Sequence, residues 1–329
     1  MLSIVIIAIV IALVFDFLNG MNDAANSIAT VVSTKVLPPL VAVVWAAFFN
    51  FAAVFFFGVH VATTIGKGIV EASIINEFII LAALIGAVIW VFSCTKIGLP
   101  ISVSHALIGG LIGPALMVGG KGVLISAGII KVALFIVLSP LIGLVLGYLL
   151  MILTMMVFRH QAPMKVDHLF RGLQLVSSAI FSIGHGTNDA QKTMGIISIL
   201  LFSTGRIGPE FHVPFWVIIA SYSAISLGTL TGGWKVIKTL GLNLTDLKPV
   251  HGFCAETAGA ITIIGSSLAG IPVSTTHTIT GSIMGVGMTR RLSAVRWGVV
   301  GKIVMAWLFT IPGTIAISAG AYYVISLFL

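Results

Sequence analysis

The chain has 329 residues, is 58% apolar, and carries 9 Asp+Glu and 17 Lys+Arg, so that charged residues make up 8%. That is about a third of the ~25% usual in soluble domains, and it excludes a soluble enzyme, a disordered chain and a disulfide-rich secreted domain. The formal net charge of +8 forms no stripe suited to nucleic acid. The basic residues sit in short polar links between apolar runs, as in the cytoplasmic loops of membrane proteins. The expected surroundings are a lipid bilayer.

The apolar segments run, in chain order, over 1–34 (interrupted at 19–23), 38–59, 76–118 (interrupted near Gly98-Pro100) and 123–158. A second set covers 173–204, 212–232, 252–288 (interrupted near Gly270-Pro272) and 297–329. Met1 to Phe15 has no basic n-region and no small-residue cleavage site after it, so it reads as a first membrane segment. Segment 123–158 would be about 54 Å long as one helix, which predicts tilting or a kink near Ser139-Pro140. Cys94 and Cys254 read as small core residues.

The two sets are copies. Gly20-Met-Asn22-Asp23-Ala24 recurs 166 residues later as Gly186-Thr-Asn188-Asp189-Ala190, and Gly98-Leu-Pro-Ile-Ser102-Val103-Ser104-His105 recurs 172 later as Gly270-Ile-Pro-Val-Ser274-Thr275-Thr276-His277. A weaker pair is Thr64-Ile-Gly66 with Thr239-Leu-Gly241. Three blocks in the same order indicate a duplication: 1–158, a short basic cytoplasmic linker at 159–172, and 173–329. Equivalent loops differ in charge. Loop 234–250 holds Lys235, Lys238 and Lys248, and 289–296 holds Arg290, Arg291 and Arg296, whereas 60–76 and 119–122 hold one Lys each. Placing the basic loops inside requires an odd number of crossings per copy, so the copies are expected to be inverted. The expected fold is an all-α polytopic membrane protein of two inverted-topology repeats, with broken helices, possible re-entrant hairpins and about 10–12 membrane segments.

Asn22-Asp23 and Asn188-Asp189 interrupt runs that should be apolar. A carboxylate at that depth costs at least ~2.5–3.5 kcal/mol, and Gly20 and Gly186 allow the backbone to leave helical geometry. Carboxylate, amide and freed backbone oxygens would suit Na⁺, or a proton on Asp; the alternative is an Asn/Asp cap at a structural kink. Asn26 extends this face. Its counterpart is Lys192, positioned to offset Asp189 or approach an anion, so the two sites cannot be chemically identical.

Ser102, Val103 and Ser104, and Ser274, Thr275 and Thr276, follow a Pro that favours a first helical turn. Hydroxyls and unpaired N–H groups at the positive end of a helix form an anion cradle; back-bonding to the helix is the alternative. His105 and His277 cap, pack or bind ligand, and a paired His also suits an ammonium-conducting pore. Adjacent Ser104 and His105 point different ways, so no catalytic triad is expected and no enzyme. Glu256, His185 and Asn50 each stand open between a site and a structural role.

These blocks resemble the inorganic phosphate transporter (PiT) family: Gly20-Met-Asn22-Asp23-Ala24-Ala25-Asn26 and Gly184-His185-Gly186-Thr187-Asn188-Asp189-Ala190 are similar to its duplicated signature, and Gly98 to His105 and Gly270 to His277 to its second blocks. The resemblance implies a symporter carrying phosphate with a cation, usually Na⁺ and sometimes H⁺, often as a homodimer, in the cell membrane and without a cofactor. It implies cation positions at Asn22, Asp23, Asn26, Asn188, Asp189 and Glu256, with Na⁺ at Asp23 and Asp189. Phosphate positions fall at Ser102, Val103, Ser104, Ser274, Thr275 and Thr276; Gln191 or Glu256 would accept a hydrogen bond from P–OH. The short central linker points to a prokaryotic member. Met21 and Gln191-Lys192 depart from the commonest family residues, which leaves ion coupling open. The alternatives are a sulfate permease of the same family and a passive ammonium- or water-type channel.

Overall fold

The computed structural model describes residues 2–56 and 58–328; Met1, Phe57 and Leu329, which fall in expected segments, lie outside them. Twelve α-helices account for most of the described residues: α1 (Leu2–Ser33), α2 (Pro39–Ala52), α3 (His60–Gly68), α4 (Glu77–Ile97), α5 (Val103–Gly119), α6 (Ser126–Phe158), α7 (Pro163–Ser203), α8 (Phe215–Thr231), α9 (Trp234–Leu242), α10 (Pro249–Leu268), α11 (Thr275–Met288) and α12 (Trp297–Ser326). The only β feature among the described residues is one isolated bridge, Val70 to Leu124. Five helices (α1, α4, α5 with the turn after it, α6 and α12) are long and apolar enough to cross a membrane, and seven spans result if the bent pairs α2/α3 and α8/α9 each count as one. The parts of 60–76 and 234–250 expected as loops are largely α3 and α9; α9 is turned 73° from α8.

The breaks predicted at Gly98 and Gly270 are present. Both glycines adopt positive φ (79° and 64°), a conformation open to glycine without a Cβ penalty. Each break turns the chain into an antiparallel hairpin. Thus Ala83 of α4 faces Gly110 of α5, where an added Cβ would stand 2.6 Å from the Ala83 carbonyl.

The breaks predicted at 19–23 and beside Gly186 are absent. α1 and α7 run unbroken through both motifs. The reason is close packing. A Cβ on Gly20 would lie 2.0 Å from Ile225 O on α8, and one on Gly186 would lie 2.5 Å from Asn50 O on α2. These glycines admit a neighbouring backbone, as small residues do in membrane helix pairs. α6 likewise continues through Pro140, and α7 already begins at Pro163, leaving only 159–162 of the expected linker outside a helix.

The two sequence copies pack crosswise. α1 lies against α8 and α9, while α7 lies against α2 and α3; α5 packs on α12, while α11 packs on α6. The seams consist of small residues: Gly109 and Gly113 meet Thr314 and Ser318, and Gly281 and Gly285 meet Pro140 and Leu144. α6 buries only Val132, Ser139, Gly143, Gly147 and Met151, a stripe at helical spacing, and exposes residues such as Leu134, Val137, Leu141 and Leu149. An outer face this apolar suits a lipid surrounding.

Candidate functional site

The N-termini of α5 and α11 meet at the centre. Ser102 caps α5 by accepting from His105 N (3.3 Å), and Ser274 caps α11 by accepting from His277 N (3.2 Å). The amides of Val103 and Ser104, and of Thr275 and Thr276, are first-turn groups with no intrahelical acceptor, so both helices aim free N–H groups and positive dipole ends inward. Ser104 Oγ donates to Val273 O (3.4 Å), just ahead of α11. The rings of His105 and His277 lie edge to face at 4.9 Å, and His277 stacks on Trp307.

Against this junction α1 and α7 bring their polar motifs. Thr275 Oγ1 lies 3.2 Å from Asp23 Oδ2 and 3.0 Å from Asp189 Oδ2, and Thr276 donates to Asp23 Oδ1 (3.1 Å). Asn26 Nδ2 donates to the hydroxyls of Thr275 (3.2 Å) and Thr276 (3.0 Å). Asn188 Nδ2 donates to Asp189 Oδ1 (3.0 Å) and Val273 O (2.9 Å). Lys192 Nζ bonds Asp189 Oδ1, Ser104 Oγ and, at 3.0 Å, Val273 O. His185 Nε2 stands 3.1 Å from Asp189 Oδ2 and 4.0 Å from Asp23 Oδ2, and its Nδ1 faces Asn50 Oδ1 at 3.1 Å. All of these side chains are buried.

Two amide oxygens in this cluster have no donor among the described residues: Asn26 and Asn188 spend their NH₂ groups on Thr275 and Thr276, and on Asp189 and Val273, and leave Oδ1 unpartnered; Asn22, which donates to Thr95 of α4, also leaves its Oδ1 unpartnered. Buried polar oxygens are normally paired. Together with the Asp23 and Asp189 carboxylates they form a hard-oxygen donor set of the kind that takes an alkali or alkaline-earth cation rather than a soft metal. Asp23, His185 and Asp189 each offer an atom within 4.8 Å of the others.

Two expected positions lie elsewhere. Gln191 Oε1 accepts from Val61 N (2.8 Å) and Ala62 N (3.3 Å), so it caps α3 and its acceptor is not turned to an anion. Glu256 forms a separate buried cluster. Its Oε1 accepts from Thr30 Oγ1 (2.6 Å) and Gln174 Nε2 (3.0 Å), and its Oε2 accepts from Ser177 Oγ. Thr30 lies seven residues, about 10 Å, along α1 from Asp23.

One further buried acid lies outside the repeated motifs. Asp16 of α1 is 0% exposed, and neither carboxylate oxygen has a hydrogen-bond partner among the described residues. The rule that singled out Asp23, a carboxylate in an apolar run, marks Asp16 equally well.

Fold and site define a polytopic helical membrane protein that holds a polar centre between two hairpins. The model of the phosphate transporter family matches residues 19–318. Over 315 residues the chain is 56% identical to a probable low-affinity inorganic phosphate transporter of Rhizobium meliloti (strain 1021), covering 96% of this chain and 94% of that one. A protein of the same description from Bacillus subtilis (strain 168) is 40% identical over 329 residues, covering 99% and 98%. A solved structure described as the sodium-dependent phosphate transporter matches with a TM-score of 0.92 and 28% identity, over 99% of this chain and 100% of that one. The chain belongs to the phosphate transporter family.

Proposed function

We propose that this protein imports inorganic phosphate across the cell membrane by symport with a cation, Na⁺ rather than H⁺. The observation that carries the reading is the contact between the two kinds of group: the carboxylates of Asp23 and Asp189 meet the hydroxyls of Thr275 and Thr276 at the N-terminus of α11. An anion seated on the first-turn amides and hydroxyls of α5 and α11 would lie beside two acids, and it would be repelled unless a cation stood between them. Binding of each ion then depends on the other, which is the basis of coupled transport. Asn22, Asp23, Asn26, Asn188 and Asp189 supply the cation's oxygens; Val103, Ser104, Thr275 and Thr276 supply the anion's donors, with Ser102 and Ser274 holding the two turns. Glu256, with Thr30, Gln174 and Ser177, is a second place for a cation.

The crosswise packing supports two inverted repeats around this centre, and alternating access would follow from moving one hairpin bundle against the other. The sodium-dependent transporter whose structure this chain matches so fully supports Na⁺ as the driving ion. A homodimer with residues 159–162 on the cytoplasmic side completes the reading.

Radiolabelled phosphate uptake into proteoliposomes, under an inward Na⁺ gradient at equal pH and then under a pH gradient without Na⁺, tests it. Accumulation driven by the Na⁺ gradient and competed by arsenate supports the reading. Uptake indifferent to both gradients removes symport, and stronger competition by sulfate than by arsenate removes phosphate.

A further inference from the structure

The two copies differ in charge at one pair of positions. Asn26 and Lys192 correspond at the 166-residue offset of the first motif, and both reach across to the hairpin of the other copy. Asn26 Nδ2 donates to Thr275 and Thr276 at the start of α11, while Lys192 Nζ donates to Ser104 at the start of α5. An amide in one copy is therefore an ammonium in the other. An ammonium has three N–H donors, and Lys192 directs them at a carboxylate oxygen, a hydroxyl oxygen and a backbone carbonyl: Asp189 Oδ1, Ser104 Oγ and Val273 O. That is the donor set a bound Na⁺ would use, and a tethered positive charge already fills it.

Asp16 balances this substitution. It lies two turns before Asp23 on α1, about 10 Å away along the helix axis, and next to Lys192 and Thr193 of α7. With every Lys192 donor engaged elsewhere, Asp16 receives none of them. Asn19 and Thr193 flank the Asp16 carboxylate, yet both Asp16 oxygens, Asn19 Oδ1 and Thr193 Oγ1 all remain unpartnered, in side chains no more than 1% exposed. Four buried oxygens are thus left as free acceptors on and beside one carboxylate. A buried carboxylate that stays ionised needs a positive partner, and a bound cation would supply it. Three buried carboxylates (Asp16, Asp23 and Asp189) thus stand near the single ammonium of Lys192.

We propose that Asp16, with Asn19 and Thr193, is a binding site for Na⁺, and that it holds the ion which Lys192 keeps away from Asp189. The inference rests on the cation-coupled reading above. It adds an exchangeable ion at Asp16 to the one at Asp23 and the second place at Glu256.

The test counts radioactive Na⁺ bound at equilibrium to the purified full-length protein in detergent, at fixed pH and without phosphate. Asp16→Asn should bind one ion fewer per chain than wild type, and Lys192→Asn one more, because the place at Asp189 opens. The double variant should return to the wild-type number. Unchanged binding in Asp16→Asn overturns the proposal, as does a double variant that binds no more than Asp16→Asn alone, since a merely structural Asp16 would not be rescued by removing a lysine. Should Asp16→Asn fail to fold, Lys192→Asn decides alone, and no gained ion overturns the proposal. Phosphate uptake driven by a pH gradient without Na⁺, and lost in Asp16→Asn, would make the ion a proton and also overturn it. If wild type accumulates no phosphate under any gradient, the transport reading fails, while the Na⁺ counts still judge this site.

Discussion

Asp23 on α1 and Asp189 on α7 flank a single hydroxyl: Thr275 Oγ1 lies 3.2 Å from Oδ2 of the first and 3.0 Å from Oδ2 of the second. A hydroxyl has one proton to give, so it can serve only one carboxylate at a time. The pair is therefore short of positive charge on the Asp23 side, because Lys192 and Asn188 both direct donors at Asp189.

That asymmetry makes Asp23 the more ion-dependent acid. Asp23→Asn keeps the shape and the acceptor for Thr276 but removes the charge. Phosphate uptake under a Na⁺ gradient is expected to fall at least ~10-fold, equivalent to about 1.4 kcal/mol, while the purified variant remains monodisperse. Undiminished Na⁺-driven uptake would show that Asp23 is only a packing element.

Thr275→Val removes the shared hydroxyl at nearly constant volume and leaves Asn26 Nδ2 and a carboxylate each without one partner. A hydrogen bond to a charged group contributes about 1.5–3 kcal/mol, so the KM for phosphate, for Na⁺, or for both should rise roughly 10- to 150-fold. Thr275→Ser retains the hydroxyl and should stay close to wild type. Equal behaviour of Val and Ser in the same uptake assay would contradict the bridging role.

Gln191 sits beside the cluster in sequence, but its oxygen faces α3. Gln191→Ala should lower stability by about 0.5–2 kcal/mol, as lost helix caps do, and leave the KM for phosphate unchanged. Thermal unfolding and uptake kinetics on one preparation separate the two effects; a raised KM with unaltered stability would return Gln191 to the anion site.

Gly20→Ala would set a methyl group 2.0 Å from Ile225 O. Overpacking of this kind costs about 1–3 kcal/mol and should appear as a lower unfolding temperature. Gly301→Ala is the control, since open space surrounds that position and alanine is favoured over glycine in a helix by up to about 1 kcal/mol. Similar melting of both variants would mean that α1 and α8 are not in backbone contact.

The hairpin breaks were readable because their cause is local. Gly98 and Gly270 take up positive φ, and Pro100 and Pro272 with a capping serine set the helix that follows. The duplicated acids and the hydroxyl clusters were readable too, because polar residues stand out in apolar runs. What could not be read depends on partners distant in sequence. Gly20 looks like a hinge until Ile225 is placed against it, and Gln191 looks like a ligand until the start of α3 arrives to use its oxygen. Asp16 is a different kind of omission. It has no counterpart in the second copy, where Ser182 stands at the same offset, so a search for repeated features passes over it.

The crosswise seams bear on how the protein is made. Until α11 and α12 are synthesised, Gly109 and Gly113 of α5 and the stripe of small residues on α6 lack the helices they pack against. α5 and α6 must stay loosely held until those helices emerge, and the 30-residue helix α12 locks the first hairpin in place.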